Sequence, residues 1–373
     1  MNYLVAEAES PNDMYKDSLE GIIKKGKDVS HRGMETKEIR PVMLIFEKPQ
    51  QRFLTCPGRK INPFFQIMES IWILGGRGDV KWISKYLKNI EKYSDGEDVF
   101  HAPYGMRMRH VGNHRSMRYN NYGHGDQFKH CYEYLKKDPN TRHAVMTFWD
   151  SVLDHYLVQT IDRPCNIGFH FLIRDGKLDL TIFNRSNDVH LGLMNANVVQ
   201  FSVILETMAM LLGIPVGRQI HMINSLHYYT DSPLTDNILS ADYEFNMYNY
   251  VKPMNFNIHH SSLDLLDEEL KIFFDAEERI WKGEETSNVM LSFSFLKEAL
   301  ILAQVFYFFK NYDSYWALRN MYQNIKSDDI YITCVEYLAR SFDYDLILNN
   351  VNDRFGNLPN DHLMSIRKYI FTH

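Results

Sequence analysis

Cys165 has the greatest chemical potential in the chain. It follows Arg163-Pro164 and opens an apolar run from Ile167 to Ile173, so a backbone fixed by proline delivers a thiol to a strand entrance, where it can face a cavity. A thiolate is a nucleophile, but it needs positive neighbours; Arg142 upstream and Arg185 downstream are the candidates. An isolated cysteine is as readily a small buried apolar residue, and Cys56, Cys131 and Cys334 sit in ordinary settings. Within Asn184-Arg185-Ser186-Asn187-Asp188, Arg185 and Ser186 set a bidentate cation beside a hydroxyl, a grip suited to a phosphate. The same residues can form a polar turn satisfied by its own backbone. His227 and Tyr229 lie two apart on an extended segment and point the same way, so they can bond one sugar hydroxyl or pack as a core pair. His101, His110, His114, His124 and His130 crowd one stretch. Their spacings do not match a compact zinc site, so they are expected to be solvated loop residues, and no metal is expected.

The elements that must position these groups follow from periodicity. Residues 11–24 predict a short helix and residues 41–47 an apolar strand. A helix after Pro63 buries Phe64, Phe65, Ile67, Met68, Ile71 and Trp72 and ends at Gly75-Gly76. A second, from Asp79 to about Tyr93, carries Trp82, Ile83, Tyr86, Leu87 and Ile90 at helical spacing. Residues 94–126 read as a long polar loop, a length that usually has a function. Strands are predicted at 144–149, 167–173 and 178–183, the last two joined through Asp175-Gly176, a strong hairpin signal. Asn197 to Leu212 is apolar nearly all round, which marks a buried helix capped by Gly213, and a strand at 218–223 leads to His227-Tyr228-Tyr229. Beyond a soft boundary near 257–285 the pattern becomes helical. The expected domains are therefore 1–257 and a helical extension, 258–373, docked on the first.

Composition narrows the class. Of 373 residues, 45% are hydrophobic, enough for a real core, which excludes a disordered or low-complexity chain. A net charge of −6 argues against bulk electrostatic binding of nucleic acid. Four cysteines without paired spacing do not form a disulfide framework. No signal-peptide pattern opens the sequence and no apolar run reaches the ~18 residues of a membrane span, so a soluble, cytoplasmic protein is expected.

Each signal is weak alone; their order is not. Arg163-Pro164-Cys165, the Asp-Gly hairpin, Asn184 to Asp188, Leu191-Gly192-Leu193, the buried helix and His227-Tyr228-Tyr229 together resemble the thymidylate synthase family, which includes the deoxypyrimidylate hydroxymethylases. Arg32-Gly33, Glu69 to Trp72, Tyr104-Gly105 with Arg109, and Asp138 to Arg142 extend the likeness over roughly residues 15–240. The resemblance implies an α+β fold, a mixed sheet with helices packed on one face, and a homodimer joined through the exposed sheet faces. It implies that Cys165 adds to C6 of a pyrimidine nucleoside monophosphate, making C5 able to attack a one-carbon unit from 5,10-methylenetetrahydrofolate. Arg32, Arg185 and Ser186 would hold the 5′-phosphate, with Arg142 reaching in from the second subunit. His227 and Tyr229 would bind the 3′-hydroxyl. Glu69 would organise a water and proton relay with Tyr104 as its partner near C5, and Asp188 would face the pterin and take part in catalysis. The residue that reads the base is Ala196 by ungapped counting from Asp188, or Asn197 if Met194-Asn195-Ala196 holds one extra residue. The second choice keeps the buried helix in phase and implies uracil; cytosine is the alternative.

Departures from the family pattern bear on the product. Asn166 replaces the usual histidine after the nucleophile, and His143 replaces a second phosphate-binding arginine. Residues 90–95 lack the tryptophans that pack beside folate, and Phe371-Thr372-His373 is unlike the short apolar tail whose closure excludes water. A wetter site favours water addition at the exocyclic carbon over hydride transfer. The expectation is dUMP hydroxymethylation, of the kind by which a virus-encoded enzyme supplies modified bases for viral DNA. The alternatives are a thymidylate synthase, a dCMP or CMP hydroxymethylase and, from another class, a non-catalytic nucleotide-binding paralogue.

Overall fold

Asp175 and Gly176 turn the chain with φ of 51° and 72°, a backbone that matches strand twist and joins two long antiparallel strands in the expected register. The computed structural model describes residues 3–111, 125–156, 160–256, 262–312, 314–341 and 344–372. Among these, the strands in chain order are β1 (Leu4–Ala8), β2 (Lys27–His31), β3 (Met34–Ile39), β4 (Val42–Phe46), β5 (Val145–Thr147), β6 (Asn166–Arg174), β7 (Lys177–Asn184), β8 (Asn187–Asp188), β9 (Val216–Ile223) and β10 (Leu226–Tyr229). One mixed sheet has the order β1-β4-β9-β7-β6-β5; a smaller one has β2-β3-β10-β8.

Side chains alternate across the large sheet as strand geometry dictates. Leu178, Leu180 and Ile182 of β7, Phe169 and Phe171 of β6, and Leu44 and Phe46 of β4 are buried. Each such side chain contributes about 1.5–3 kcal/mol by leaving water. Two helices lie above them: Val198–Leu212 packs on the strands, Phe201 meeting Phe169 at 4.8 Å, and Pro63–Leu74 packs on that helix in turn. Pro63–Leu74 starts on a proline, and Asn62 Oδ1 accepts from the Phe65 amide at 3.1 Å. Val198–Leu212 ends at Gly213, whose φ of 69° closes it in the left-handed cap. With the turns before it, this second helix is apolar over Val189–Leu212, long enough to cross a membrane by length and composition, but it is mostly buried in the core. Among the described residues, the opposite sheet face exposes Val5, Val145, Ile167, Phe183 and Met222.

The segment after residue 262 shares this core. Helix Ser294–Asn311 puts Phe306 against Phe64 at 5.0 Å, and Tyr369 of helix Asn360–Phe371 stacks on Phe245 at 4.5 Å. Glu277 of helix Leu263–Trp281 receives Lys85 Nζ at 2.8 Å and Tyr86 Oη at 2.8 Å. Arg340 Nη2 donates to the Ile61 carbonyl at 2.9 Å. The expected boundary between 257 and 258 lies among residues outside the described ones.

Two expectations need correction. The helix predicted from Asp79 to Tyr93 is a short helix, Val80–Ser84, followed by a 3₁₀ turn, Lys88–Tyr93. Lys85 and Tyr86 instead face Glu277, and that packing outweighs the continuous periodicity. The predicted loop of 94–126 contains helix Tyr104–Arg109. His101 there is not solvated: it is buried, with Nε2 3.2 Å from Asp154 Oδ1, beside the two-pronged Arg107–Asp154 pair. His114 and His124 lie outside the described residues.

Candidate active site

The site forms where the chain passes from one sheet to the other. β7 ends at Asn184, Arg185-Ser186 bridges, and β8 continues in the small sheet beside β10. The crossing is tied twice by backbone: the Asn187 amide donates to Ser225 O at 2.8 Å and the Asn224 amide to Asn184 O at 3.0 Å. Asp188 and His227 are consequently paired in register. A cavity of about 430 Å³ opens at this junction. Its wall includes Arg32, Glu69, Tyr104, Cys165, Arg185, Ser186, Asp188, His227 and Tyr229, residues drawn from separate elements.

Cys165 immediately precedes β6, and the register slips between Asn166 and Gly168, a bulge that re-aims the strand at its entrance. The Arg185 amide donates to Cys165 O at 2.9 Å, and Arg185 Nη2 stands 3.7 Å from Sγ. Burial raises the thiol pKa, while Arg185 and Arg32 pull it back toward the thiolate. Arg185 is itself anchored, with Nε donating to Pro164 O at 2.9 Å and Nη2 to Arg163 O at 3.3 Å. Arg32 enters from the tip of the β2–β3 hairpin, where Arg32 and Gly33 have φ of 53° and 75°. A two-residue turn there makes an arginine backbone left-handed in order to place its cation at the cavity.

Tyr104 Oη accepts the amides of Cys165 at 3.0 Å and Asn166 at 3.3 Å. Both lone pairs are used, so its own O–H is left to donate elsewhere. Glu69 projects from helix Pro63–Leu74 to the same wall, and Gln200 Nε2 donates to its Oε2. Burial pushes the Glu69 carboxyl up to about 8, and the Gln200 bond offsets only part of that. Asp188 caps the next turn: its Oδ1 accepts the amides of His190 at 2.6 Å and Leu191 at 2.8 Å, and burial raises its pKa. Burial lowers the His227 pKa, with Asp188 acting against it; His227 Nδ1 is 3.5 Å from Ser186 Oγ, and its ring meets Tyr229 edge-on at 5.6 Å.

The Val189–Asn197 segment winds as a π-helix with a break at Met194 (φ −84°, ψ 35°). Such a widened turn can take in an extra residue without rotating the helix that follows. Asn197 Nδ2 lies 3.4 Å from Oδ1 of Asn187, a residue of the cavity wall. Arg142 is not brought to the cavity of its own chain. It is exposed beside β5, at the edge of the large sheet.

Sequence reasoning passed over several residues on the wall or directly behind it. Asp162 accepts the Ala102 amide at 2.9 Å, with its pKa raised by burial. Its position three before Cys165 was the available signal. Asn187 is buried, and its Nδ2 has no partner among the described residues. Gln200 is a buried amide on an otherwise apolar helix, three residues past Asn197 and so on the same face. Trp72 and Phe100 complete an aromatic side.

Comparison with known proteins agrees with this geometry. The family model described as thymidylate synthase matches residues 13–261. A deoxyuridylate hydroxymethyltransferase of Bacillus phage SP01 is 46% identical over 221 residues, 59% of this chain and 57% of that protein. Proteins of the same name from Pseudomonas phage M6 and Delftia phage PhiW-14 are 33% identical over 232 residues and 29% over 201. Those matches cover 61% and 51% of this chain, and 62% and 52% of the relatives. The chain thus spans little more than half the length of the relatives it matches. With that model matched over two thirds of its length, and with Cys165, the Arg32 and Arg185 cations and the Glu69 and Asp188 carboxyls lining one cavity at the junction of its two sheets, the chain belongs to the thymidylate synthase family.

Proposed function

We propose that this chain transfers a one-carbon unit to C5 of dUMP and leaves it as a hydroxymethyl group. The observation that carries the reading is Cys165 Sγ at the cavity wall, 3.7 Å from the Arg185 guanidinium, with Glu69 and Tyr104 on the same wall. The phage relatives bearing the name deoxyuridylate hydroxymethyltransferase support the same substrate and product. Arg185, Arg32 and Ser186 form the cationic end suited to the 5′-phosphate, while His227 and Tyr229 face the sugar. As the thiolate adds to C6, negative charge moves to C5 and O4. The Asn197 amide, steadied by Asn187, suits the O4 and N3 edge of uracil, and the Tyr104 O–H is free to donate into the cavity. A carboxyl poised near pH 8 can take and return a proton close to neutrality, the role assigned to Glu69.

The wall also fits a folate. Asp188 engages the His190 and Leu191 amides through Oδ1, which leaves Oδ2 for pterin N–H donors, and Trp72, Ile90, Tyr93 and Ile161 give a flat apolar side. Bound there, methylenetetrahydrofolate would supply the one-carbon unit. The exposed sheet face, with Phe183, Ile167 and Met222, suits a second copy of the chain, which would bring Arg142 to its partner's phosphate.

Trp72 at the cavity favours a second reading, methyl transfer, because an indole there can shield the C5 substituent from water. Incubation with dUMP and methylenetetrahydrofolate, followed by mass spectrometry, separates the two. Hydroxymethyl-dUMP without dihydrofolate is the expected product; dTMP with stoichiometric dihydrofolate would overturn the first reading.

A further inference from the structure

Among the described residues, the Glu69 carboxyl has one hydrogen-bond partner, the side-chain amide of Gln200. Gln200 is buried at 2% exposure, and its Oε1 has no partner among the described residues. A buried amide with one end bonded and the other empty is costly, unless the empty end is used in another state. The two ends of an amide are nearly the same shape. As placed, the NH2 group serves ionised Glu69; turned end for end, the carbonyl would accept the O–H of protonated Glu69.

We propose that Gln200 is a positioning residue that holds Glu69 in both protonation states, its amide turning over as Glu69 gains and loses the proton of the C5 relay. The proposal deepens the hydroxymethylase reading and rests on it. Gln200 touches no reacting atom and acts through Glu69. Deleting the donor leaves the carboxylate without its stabilising bond, while a carboxyl at position 200 supplies a donor only while it keeps its own proton. These two changes therefore move the pH dependence in opposite directions.

The test measures tritium release from C5-labelled dUMP, with methylenetetrahydrofolate, between pH 5.5 and 9.5 (roughly the range that brackets Glu69), in wild type, Gln200→Met and Gln200→Glu. In Gln200→Met, of similar length, the rising limb of kcat is expected to move up by about one to two pH units, with roughly ten- to hundredfold loss at pH 7. KM for dUMP should stay within about twofold. Gln200→Glu should be most active at acid pH and lose kcat as the carboxyl pair gives up its shared proton. If either folded variant keeps the wild-type pH profile, Gln200 is only packing and the proposal is overturned; opposite shifts in the two support it. Wild type that releases no tritium at any pH overturns the underlying reading instead, which keeps the two failures apart.

Discussion

Replacing Glu69 by Gln should make the protein more stable and less active, with a gain in stability that grows with pH. In the folded state burial raises the carboxyl from 4.5 to about 8. Between those values the native state binds a proton that the unfolded chain has released, so the stability of the wild type falls by about 1.4 kcal/mol per pH unit from this group alone. Below pH 4.5 the burden is absent, and above pH 8 it is complete, at about 4–5 kcal/mol as an upper figure. The substituted amide carries no titrating proton and can still pair with the Gln200 amide, so the variant removes the burden without leaving a cavity. Urea unfolding at pH 5, 6, 7 and 8 should show the two curves close together at pH 5 and diverging steadily. Turnover should fall by two or more orders of magnitude, the order expected for loss of a general acid–base group. Parallel stability curves across this range would refute the reasoning, since Glu69 would then titrate in the fold as it does in water.

Three other outcomes follow from the geometry. Arg185→Lys should raise KM for dUMP by roughly tenfold or more in steady-state assays, because an ammonium cannot hold Pro164 O and Arg163 O while reaching the sulfur. Gly105→Ala should cost about 1–3 kcal/mol in urea unfolding and lower kcat, since a Cβ there would lie 2.7 Å from Arg77 O and 2.9 Å from Ile73 O and would push Tyr104 off the amides of Cys165 and Asn166. If copies pair through the exposed sheet face, Arg142→Ala and Cys165→Ser should each be inactive alone. Mixing and reassociating them should restore up to about a quarter of wild-type turnover, the share of sites that then combine one intact cysteine with one intact arginine; mixtures that stay inactive would refute donation across the interface.

What could be read in the sequence is mostly what local chemistry decides. Asp175-Gly176, the proline entry to helix Pro63–Leu74 and the left-handed cap at Gly213 are each settled by residues a few positions apart. Strands β2 and β8 escaped notice for a physical reason. β2 is exposed along its whole length and carries no hydrophobic period, and β8 is only two residues long, defined by its partner β10. Cys165 and the cations around it were legible through the order of motifs, yet Asp162, Asn187 and Gln200 were not. Their roles depend on which distant segment meets them: Ala102, Asn197 and Glu69 respectively. The π-helical turn before Asn197 was likewise not legible, since no single residue type demands one.

The most direct test of the account is covalent. Incubation with 5-fluoro-dUMP and methylenetetrahydrofolate, followed by denaturation, proteolysis and mass spectrometry, should yield one modified peptide, Cys165 carrying the nucleotide, with Cys56, Cys131 and Cys334 unlabelled. No adduct in protein that binds dUMP, or an adduct on another cysteine, would contradict the account.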